Sequence, residues 1–222
     1  MSKEEVLPPP VPPSWKIPKW FPELDVATHK NLKIYWADLI KFNKTVNLIS
    51  PKTATNADSV HFGDSIKACQ IVYKNNSNIS EITDLGSGNG FPGLVFGVLY
   101  PGVRVTLVDI DQRKCEFLKH VIARIGAKNV FVRNSNIENL GPDSLNIAIT
   151  RGFASIPKAM MNLRSSLSVG GCIYFLKSDE WSMEVSQIPT QLCSLWSPAL
   201  IGQYSPPESS AKYFVVKADK IG

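Results

Sequence analysis

The residues best suited to chemistry form the run Asp84–Gly93, Asp-Leu-Gly-Ser-Gly-Asn-Gly-Phe-Pro-Gly, which lies between two apolar segments. Glycine permits a tight turn and a close approach of a ligand to the main chain. Asp109 ends the next apolar run, where an acid can bind the ribose hydroxyls of an adenosine-containing cofactor. The pattern therefore predicts a nucleotide-derived cofactor with contacts at Gly86, Gly88 and Asp109. An ordinary strand-to-helix turn is the alternative.

Two classes of cofactor fit this segment. Gly88–Gly93 matches the dinucleotide fingerprint G-x-G-x-x-G, which indicates an NAD-dependent oxidoreductase. Asp84 stands two residues before Gly86, where its carboxylate would meet a cationic amino group instead of a pyrophosphate. S-adenosylmethionine carries such an ammonium group, a sulfonium and no phosphate. We therefore predict S-adenosylmethionine and keep NAD as the alternative cofactor, and a structural turn acid as the alternative role of Asp84.

Two further candidates follow later strands. The polar loop 134–140 comes after a predicted third strand and lies beside the glycine turn in a doubly wound sheet. Ile137 is predicted to pack on the adenine face while Glu138 reads the edge of the base. Arg151 follows the apolar run 145–150, and its planar guanidinium suits a cofactor carboxylate or an RNA phosphate. A surface arginine at the edge of the sheet is the alternative.

The elements that position these residues alternate along the chain. Alternation of strands and helices builds a parallel sheet with helices on both faces, so the predicted fold class is α/β and Rossmann-like. The predicted strands are 81–85, 103–109, 129–133, 145–150 and 172–177, with closing strands near 193–201 and 213–217, and the predicted helices are 92–100, 112–125 and 156–168.

Three regions are predicted. Residues 1–22 are proline-rich and favour polyproline II, as a disordered tail or as a strap laid over the domain. Residues 23–78 contain apolar residues at helical spacing and predict a small helical cap. Residues 79–222 form the predicted Rossmann-like core.

Composition bounds the class of protein. The chain has 222 residues, 44% of them hydrophobic and 19% charged, as in a globular domain. It shows no apolar run of the ~20 residues that cross a bilayer and no signal-peptide core, so we expect a cytoplasmic protein without a membrane partner. The four cysteines and three histidines are scattered, which predicts reduced thiols and no metal site.

The basic residues are unevenly distributed, although the net charge is only +5. The window 144–178 contains no Asp or Glu. Two groups of basic residues stand out, Arg151, Lys158, Arg164 and Lys177 in that window and Arg113, Lys114, Lys119 and Arg124 before it. Such groups attract phosphates independently of sequence, and a solvated helix face is the alternative. Charge therefore permits an RNA substrate without requiring one.

Several stretches together resemble a known family, the bacterial small-subunit ribosomal RNA methyltransferases that methylate a 16S guanine at N7, also called glucose-inhibited division protein B. The resemblance runs in family order across residues 30–178. Three positions depart from the usual pattern, Phe42 for Trp, Gly63 for a larger apolar residue and Gly152 for Ala, and all are packing positions. The matching stretches are Phe42–Leu48, His61–Ser65, Asp84–Gly93, Leu107–Asp109, Arg113–Lys114, Phe117–Leu118 and Arg151–Ala154.

This resemblance implies a class I S-adenosylmethionine-dependent methyltransferase whose substrate is 16S rRNA or a small-subunit particle. It implies cofactor contacts at Gly86, Phe91, the Ile137–Glu138 pair and Arg151. It also implies that the cap borders the pocket, and we expect the protein to be a monomer.

Cap residues are therefore candidates for shaping the mouth of the pocket or for positioning the base. They are Asn47, His61 and Asp64, with Arg151 as a further positioning candidate from the core. Phe91 or Phe153 is available to stack on the target base. The alternative for the segment 61–65 is a helix N-terminal turn in which Asp64 and Ser65 satisfy backbone donors.

The predicted reaction needs no general base. Guanine N7 has an in-plane lone pair, so it can attack the methyl carbon without losing a proton, and catalysis comes from placement and electrostatics. No cysteine follows a proline, as carbon-5 pyrimidine methylation would need. The Pro-Pro pair at 206–207 lacks the aromatic residue typical of exocyclic-amine methylation. A ribosome-assembly factor without turnover is the non-enzymatic alternative.

Overall fold

A computed structural model describes residues 14–222. The centre is a seven-stranded sheet of order β3-β2-β1-β4-β5-β7-β6. The strands are β1 Glu81–Leu85, β2 Arg104–Asp109, β3 Val130–Asn134, β4 Leu145–Arg151, β5 Leu167–Lys177, β6 Trp196–Tyr204 and β7 Tyr213–Lys220. Strands β1 to β5 pair in parallel, and β7 pairs antiparallel with both β5 and β6. The predicted Rossmann-like α/β fold with two closing strands is thus confirmed.

Helices cover both faces of the sheet. They are α1 Ile17–Trp20, α2 Val26–Val46, α3 Pro51–Ala54, α4 Asp64–Asn75, α5 Gly93–Leu99, α6 Gln112–Ile125, α7 Ile156–Asn162, α8 Trp181–Ser186 and α9 Thr190–Cys193. A π-helical turn, Asp58–Gly63, leads into α4, and a 3-10 turn, Ile137–Asn139, follows β3.

Helix α6 has the bounds that the sequence predicts, because its ends are marked chemically. The Asp111 carboxylate accepts hydrogen bonds from the backbone N–H groups of Arg113 and Lys114 at 2.9 and 3.3 Å. Gly126 ends the helix with φ 67°, a conformation that glycine adopts without strain.

The predicted helix 156–168 is wrong in its second half. The helix ends at Asn162, and β5 begins at Leu167, which pairs with Leu145 of β4. The buried Lys220 Nζ donates to the carbonyl oxygen of Leu167 at 2.6 Å and to that of Arg164 at 2.7 Å. Strand pairing at Leu167 and the hydrogen bonds from Lys220 therefore prevent residues 163–168 from continuing the helix, despite their helical pattern.

Two hydrophobic clusters flank the sheet. The first packs α2 and α4 of the predicted cap against α5 and α6, with Leu32, Tyr35 and Phe96 fully buried. The second contains α7 and the inner residues of β4 and β5. Because the first cluster runs across the predicted boundary at residues 78 and 79, the division into cap and core stays a prediction.

The described part of the proline-rich stretch packs on this first cluster. Ile17 is fully buried, Phe21 is 3% exposed, and the Trp15 ring lies 5.3 Å from that of Phe62. The prediction for residues 1–13 lies outside the described residues. Within residues 14–222, no helix is both long and apolar enough to span a membrane.

Candidate active site

The carboxyl ends of β1 to β5 meet at one edge of the sheet, and the glycine turn begins there. Gly86 has φ 68°, and the N–H groups of Gly86 and Ser87 both donate to the carbonyl oxygen of Val108, at 2.9 and 3.0 Å. A Cβ on Gly86 would lie 3.2 Å from the Phe153 ring, whereas one on Gly88 would meet nothing closer than 3.9 Å. The turn is therefore tied to β2 and leaves open space over Gly88.

Asp84 lies beneath the turn and has no exposed surface. Its Oδ2 accepts a hydrogen bond from Gly93 N at 2.9 Å, and a Cβ on Gly93 would lie 2.5 Å from the Cβ of Asp84. Burial raises the pKa of this carboxyl to about 7. These contacts match the alternative role of Asp84 as a structural turn acid. Because the carboxylate is fully buried, a cofactor ammonium group cannot reach it in this conformation. Asp84 Oδ1 has no hydrogen-bond partner among residues 14–222, so the contact with the cofactor stays a prediction.

Asp109 joins the turn to the end of β2. Its Oδ2 accepts from Gly88 N at 2.6 Å and its Oδ1 accepts from Asp111 N at 2.8 Å. Each carboxylate oxygen keeps a further lone pair, so a bound ribose hydroxyl can still donate to it. The predicted ribose contact is compatible with this geometry and stays a prediction.

Ile137 and Glu138 lie where the sequence placed them, after β3. Ile137 is 6% exposed and packs in the second hydrophobic cluster with Leu85 and Val108, the residues at the ends of β1 and β2. Glu138 is exposed, and Asn136 Oδ1 accepts from its backbone N–H at 3.1 Å. The pair therefore presents an apolar wall and a carboxylate side by side.

Phe91 is part of the core and unavailable to stack on a target base. It is 4% exposed, its ring stacks on Tyr35 at 5.2 Å and on His61 at 5.3 Å, and the Arg151 guanidinium lies 5.3 Å from its centre. Phe153 is half-buried against Gly86. Of the two candidates for stacking, only Phe153 retains an accessible side chain.

Arg151 stands at the end of β4 and is held by the cap. Its Nη1 donates to Asp64 Oδ2 at 2.6 Å, and its Nη2 lies 3.4 Å from His61 Nδ1. The hydroxyl of Tyr204, from β6, donates to Asp64 Oδ1 at 2.8 Å. Asp64 is 3% exposed, so its charge is balanced by Arg151 within the protein. The alternative for the segment 61–65 is that Asp64 caps the start of α4. Its carboxylate instead binds Arg151 and Tyr204, and within residues 14–222 α4 has no side-chain cap.

Tyr204 is the site residue that sequence reasoning missed. It lies 140 residues from Asp64 in the chain, on a closing strand that carries no motif. The predicted closing strand ends near residue 201, whereas the observed β6 extends to Tyr204, so the prediction does not include this residue.

The two other cap candidates differ in position. His61 Nε2 lies 3.1 Å from Thr53 Oγ1, and burial together with the neighbouring Arg151 lowers the pKa of the imidazole to about 3. His61 is therefore neutral at physiological pH, with Nδ1 free to accept from Arg151. Asn47 is exposed and ends α2 in the left-handed conformation, with φ 48°. The need for a left-handed residue at the end of α2 accounts for asparagine at position 47. The neighbouring residue, Leu48, contacts the glycine turn, since its carbonyl oxygen accepts a hydrogen bond from the Asn89 side chain.

A cavity of about 280 Å³ lies beyond Arg151, at the ends of β4 and β5. It is lined by Asp64, Arg151, Gly152, Leu176, Lys177, Ser178, Glu184, Tyr204 and Tyr213. Within residues 14–222, His, Cys, Asp and Glu form no group of three or more that is suited to hold a metal ion.

Comparison with known sequences identifies relatives along most of the chain. The profile of the GidB family, described as rRNA small subunit methyltransferase G, matches residues 28–197. The chain is 50% identical over 207 residues to ribosomal RNA small subunit methyltransferase G 3 of Bdellovibrio bacteriovorus, covering 93% of this chain and 94% of that protein. It is 32% identical to ribosomal RNA small subunit methyltransferase G of Gluconobacter oxydans, covering 74% of this chain and 88% of that one.

Solved structures show the same fold at low sequence identity. A 1,6-didemethyltoxoflavin-N1-methyltransferase of Burkholderia thailandensis, solved with S-adenosylhomocysteine, matches with a TM-score of 0.58 and 15% identity over 90% of this chain and 92% of that one. The YcgJ protein of Bacillus subtilis matches with a TM-score of 0.55 and 14% identity over 71% of this chain and 99% of that one. The fold is that of class I S-adenosylmethionine-dependent methyltransferases, as predicted. The chain belongs to the rRNA small subunit methyltransferase G family.

Proposed function

We propose that this protein transfers a methyl group from S-adenosylmethionine to N7 of a guanine in the 16S rRNA of the small ribosomal subunit. The observation that carries the proposal is the family match over residues 28–197, which spans the strand ends where Gly86, Ile137 and Arg151 lie. Such a substrate places the protein in the cytoplasm, with the rRNA or the subunit particle as its partner.

The residues present fit S-adenosylmethionine. A Cβ added to Gly152 would meet nothing within 4 Å, and the space over Gly88 is also open, so both glycines border room for a ligand. The exposed Glu138 offers acceptors for an adenine amino group, and Asp109 retains lone pairs for ribose hydroxyls. Arg151 offers N–H donors to the carboxylate of the methionine part.

The same geometry argues against NAD. A dinucleotide pyrophosphate would bind at the N-terminus of the helix after the glycine turn. Here Gly93 and Leu94, which begin α5, are buried, and Asp84 already accepts from the N–H of Gly93. The carboxyl group therefore occupies the position that a phosphate would need.

We propose that the cofactor is held by Gly86, the main chain at Phe91, Asp109, the Ile137–Glu138 pair and Arg151. When bound, it supplies a methyl group activated by the adjoining sulfonium. The cationic sulfonium is tolerated near Arg151 because the buried Asp64 carboxylate balances the guanidinium charge.

The chemistry is then a matter of placement. The guanine N7 lone pair attacks the methyl carbon directly, so the protein must hold N7 in line and exclude water, and no side chain must remove a proton. His61, whose pKa of about 3 keeps it neutral, positions Arg151 without acting as a base.

The test is mass-spectrometric mapping of 16S rRNA from a strain that lacks the gene, followed by treatment of its small subunits with recombinant protein and S-adenosylmethionine. We expect one N7-methylguanine to disappear on deletion and to return on treatment. Unchanged rRNA methylation would instead support the assembly factor, and calorimetric binding of NAD without binding of S-adenosylmethionine would support the oxidoreductase.

A further inference from the structure

The cavity beyond Arg151 adjoins the proposed cofactor contacts and shares Arg151 with them. Those contacts lie at the ends of β1, β2 and β3, with Arg151 at the end of β4, whereas the cavity of about 280 Å³ extends from Arg151 to the end of β5 and the β6–β7 hairpin. A second ligand placed in it would meet the cofactor beside Arg151.

A carboxylate and an ammonium group, fixed by other contacts, face this cavity. Glu184 Oε2 accepts from Ile156 N at 2.6 Å, and Glu184 Oε1 accepts from Lys177 Nζ at 3.0 Å. Lys177 Nζ also donates to the carbonyl oxygen of Ala154 at 2.8 Å. Lys177 Nζ also lies 2.8 Å from Glu184 Oε2, so the ion pair involves both carboxylate oxygens, and the side chain of Glu184 remains 23% exposed. The spare lone pairs of the carboxylate oxygens are therefore available to a ligand, next to the positive charge of Lys177.

This pair matches the Watson–Crick edge of guanine. That edge presents the O6 acceptor beside the N1–H and N2–H donors, so O6 fits the ammonium of Lys177 and the two donors fit the carboxylate of Glu184. Adenine presents one amino donor and a ring acceptor there, which would leave the carboxylate facing a lone pair. The pair therefore selects guanine.

Two aromatic rings form another wall. Tyr204 and Tyr213 are paired at the end of the β6–β7 hairpin, with ring centres 6.0 Å apart and planes at 26°. The hydroxyl of Tyr204 is held by Asp64, which fixes its ring next to Tyr213. A purine that has left its helical stack can rest on such a surface.

We propose that this cavity, the base pocket of Lys177, Glu184, Tyr204 and Tyr213, receives the target guanine flipped out of the RNA. The inference rests on the proposed function and adds the residues that recognise the base. Reading O6, N1 and N2 leaves N7 unpaired. Its lone pair forms the new bond to the methyl carbon, the carbon–sulfur bond breaks with its pair going to sulfur, and the positive charge passes to the purine without loss of a proton. The Glu184 carboxylate stabilises that charge.

The first test combines a change in the protein with a change in the base. Small subunits are reconstituted with inosine, which lacks the 2-amino group, at the mapped target nucleotide. With the unaltered protein we expect inosine to lower kcat/KM about tenfold or more, because it removes a donor to a charged acceptor. With Glu184→Ala the same replacement should change kcat/KM less than about twofold. Equal inosine effects in the two proteins would overturn the proposal.

The second test does not depend on the folding of the Glu184 variant. Tyr213→Leu should lower kcat/KM for small subunits by about fivefold to a hundredfold through lost stacking, while Tyr213→Phe retains most of the activity. The affinity for S-adenosylmethionine, measured by calorimetry, should stay within about twofold of the unaltered protein. Tyr73→Leu is the matched control, since Tyr73 stacks on Tyr100, away from the pocket.

The outcomes separate the two proposals. If the unaltered protein fails to methylate small subunits, the proposed function itself falls. If it methylates guanine N7 and Tyr213→Leu behaves like Tyr73→Leu, only the base pocket is wrong.

Discussion

At the scale of single residues, the polar groups of this site are fixed by partners from distant parts of the chain. Arg151 illustrates this, because its charge is balanced by Asp64 from α4 and its orientation is set by His61. A side chain held in this way loses little entropy when a ligand binds. The type of side chain at position 151 should therefore matter beyond its charge.

Arg151→Lys tests this expectation. Lysine keeps the positive charge that balances Asp64 and loses the planar fork, so we expect kcat/KM for S-adenosylmethionine to fall about tenfold to a hundredfold. The matched control is Arg124→Lys, which alters an Arg–Asp pair with Asp38 between α6 and α2. Steady-state methylation of small subunits measures both. Equal losses in the two variants would show that Arg151 has only a structural role.

Asp84 makes stability depend on pH. The pKa of its carboxyl is about 7 in the folded protein and 3.8 in the unconstrained group. Between these values the folded state keeps a proton that the unfolded state has released, so the stability contributed by this group falls as pH rises and is lost above pH 7. In Asp84→Asn this change is absent. The stability of the unaltered protein relative to the variant should therefore fall by up to ~4 kcal/mol between pH 4 and pH 7, as measured by chemical denaturation. A constant difference would contradict the buried, protonated carboxyl.

At the scale of elements, packing against neighbouring side chains requires glycine at two positions of the glycine turn. Gly90 and Gly93 are buried, and a Cβ on Gly90 would lie 2.8 Å from both Leu118 Cδ2 and the Tyr35 hydroxyl. These two glycines of the apparent dinucleotide fingerprint are thus required by neighbouring side chains. The fingerprint left NAD open as the alternative cofactor because spacing alone does not distinguish packing from phosphate binding.

Gly93→Ala tests the packing role. The new Cβ would lie 2.5 Å from Asp84 Cβ and from Leu107 Cδ2, so we expect a loss of about 1–3 kcal/mol or more in the free energy of unfolding. Gly102→Ala is the matched control, since its Cβ would meet nothing within 4 Å. Urea denaturation of both variants gives the comparison. A neutral Gly93→Ala would show that α5 shifts easily.

Much of the fold could be predicted because it depends on local patterns. The caps at Asp111 and Gly126 fix α6, and the apolar runs of β1, β2 and β4 lie where the sequence placed them. The end of α7 and the role of Tyr204 could not be predicted. Both depend on contacts with the β6–β7 hairpin, which no spacing in the sequence records.

The candidate site likewise contains features that could be predicted from the sequence and features that could not. Gly86, Ile137 and Arg151 follow strands, so their common edge was predictable from the order of elements. The burial of Phe91 depends on how closely the cap packs on the turn, and that of Asp84 on the close approach of Gly93. Both require the three-dimensional structure.

At the scale of the whole molecule, the first hydrophobic cluster joins the predicted cap to the core. Tyr35 of α2 stacks on Phe91 of the glycine turn, and its hydroxyl donates to the carbonyl oxygen of Asn89. We expect one cooperative unfolding transition, with tryptophan fluorescence and far-UV circular dichroism giving the same midpoint. Two separate midpoints would show that residues 23–78 unfold independently.

The two edge strands of the sheet support the prediction that the protein is a monomer. The edge strand β3 has five residues and carries the exposed Arg133, and the other edge strand, β6, contains Pro198, features that hinder pairing between sheets. We expect light scattering after size-exclusion chromatography to give the mass of one chain, 24.5 kDa. Twice that mass would contradict the prediction.

The order of the last two strands has a consequence for protein synthesis. Strand β7 lies between β5 and β6, so β6 reaches the sheet only through residues that leave the ribosome after it. Tyr204 therefore cannot fasten Asp64 until the chain has been translated as far as β7. The site around Arg151 is therefore complete only after the last strand of the sheet has been synthesised.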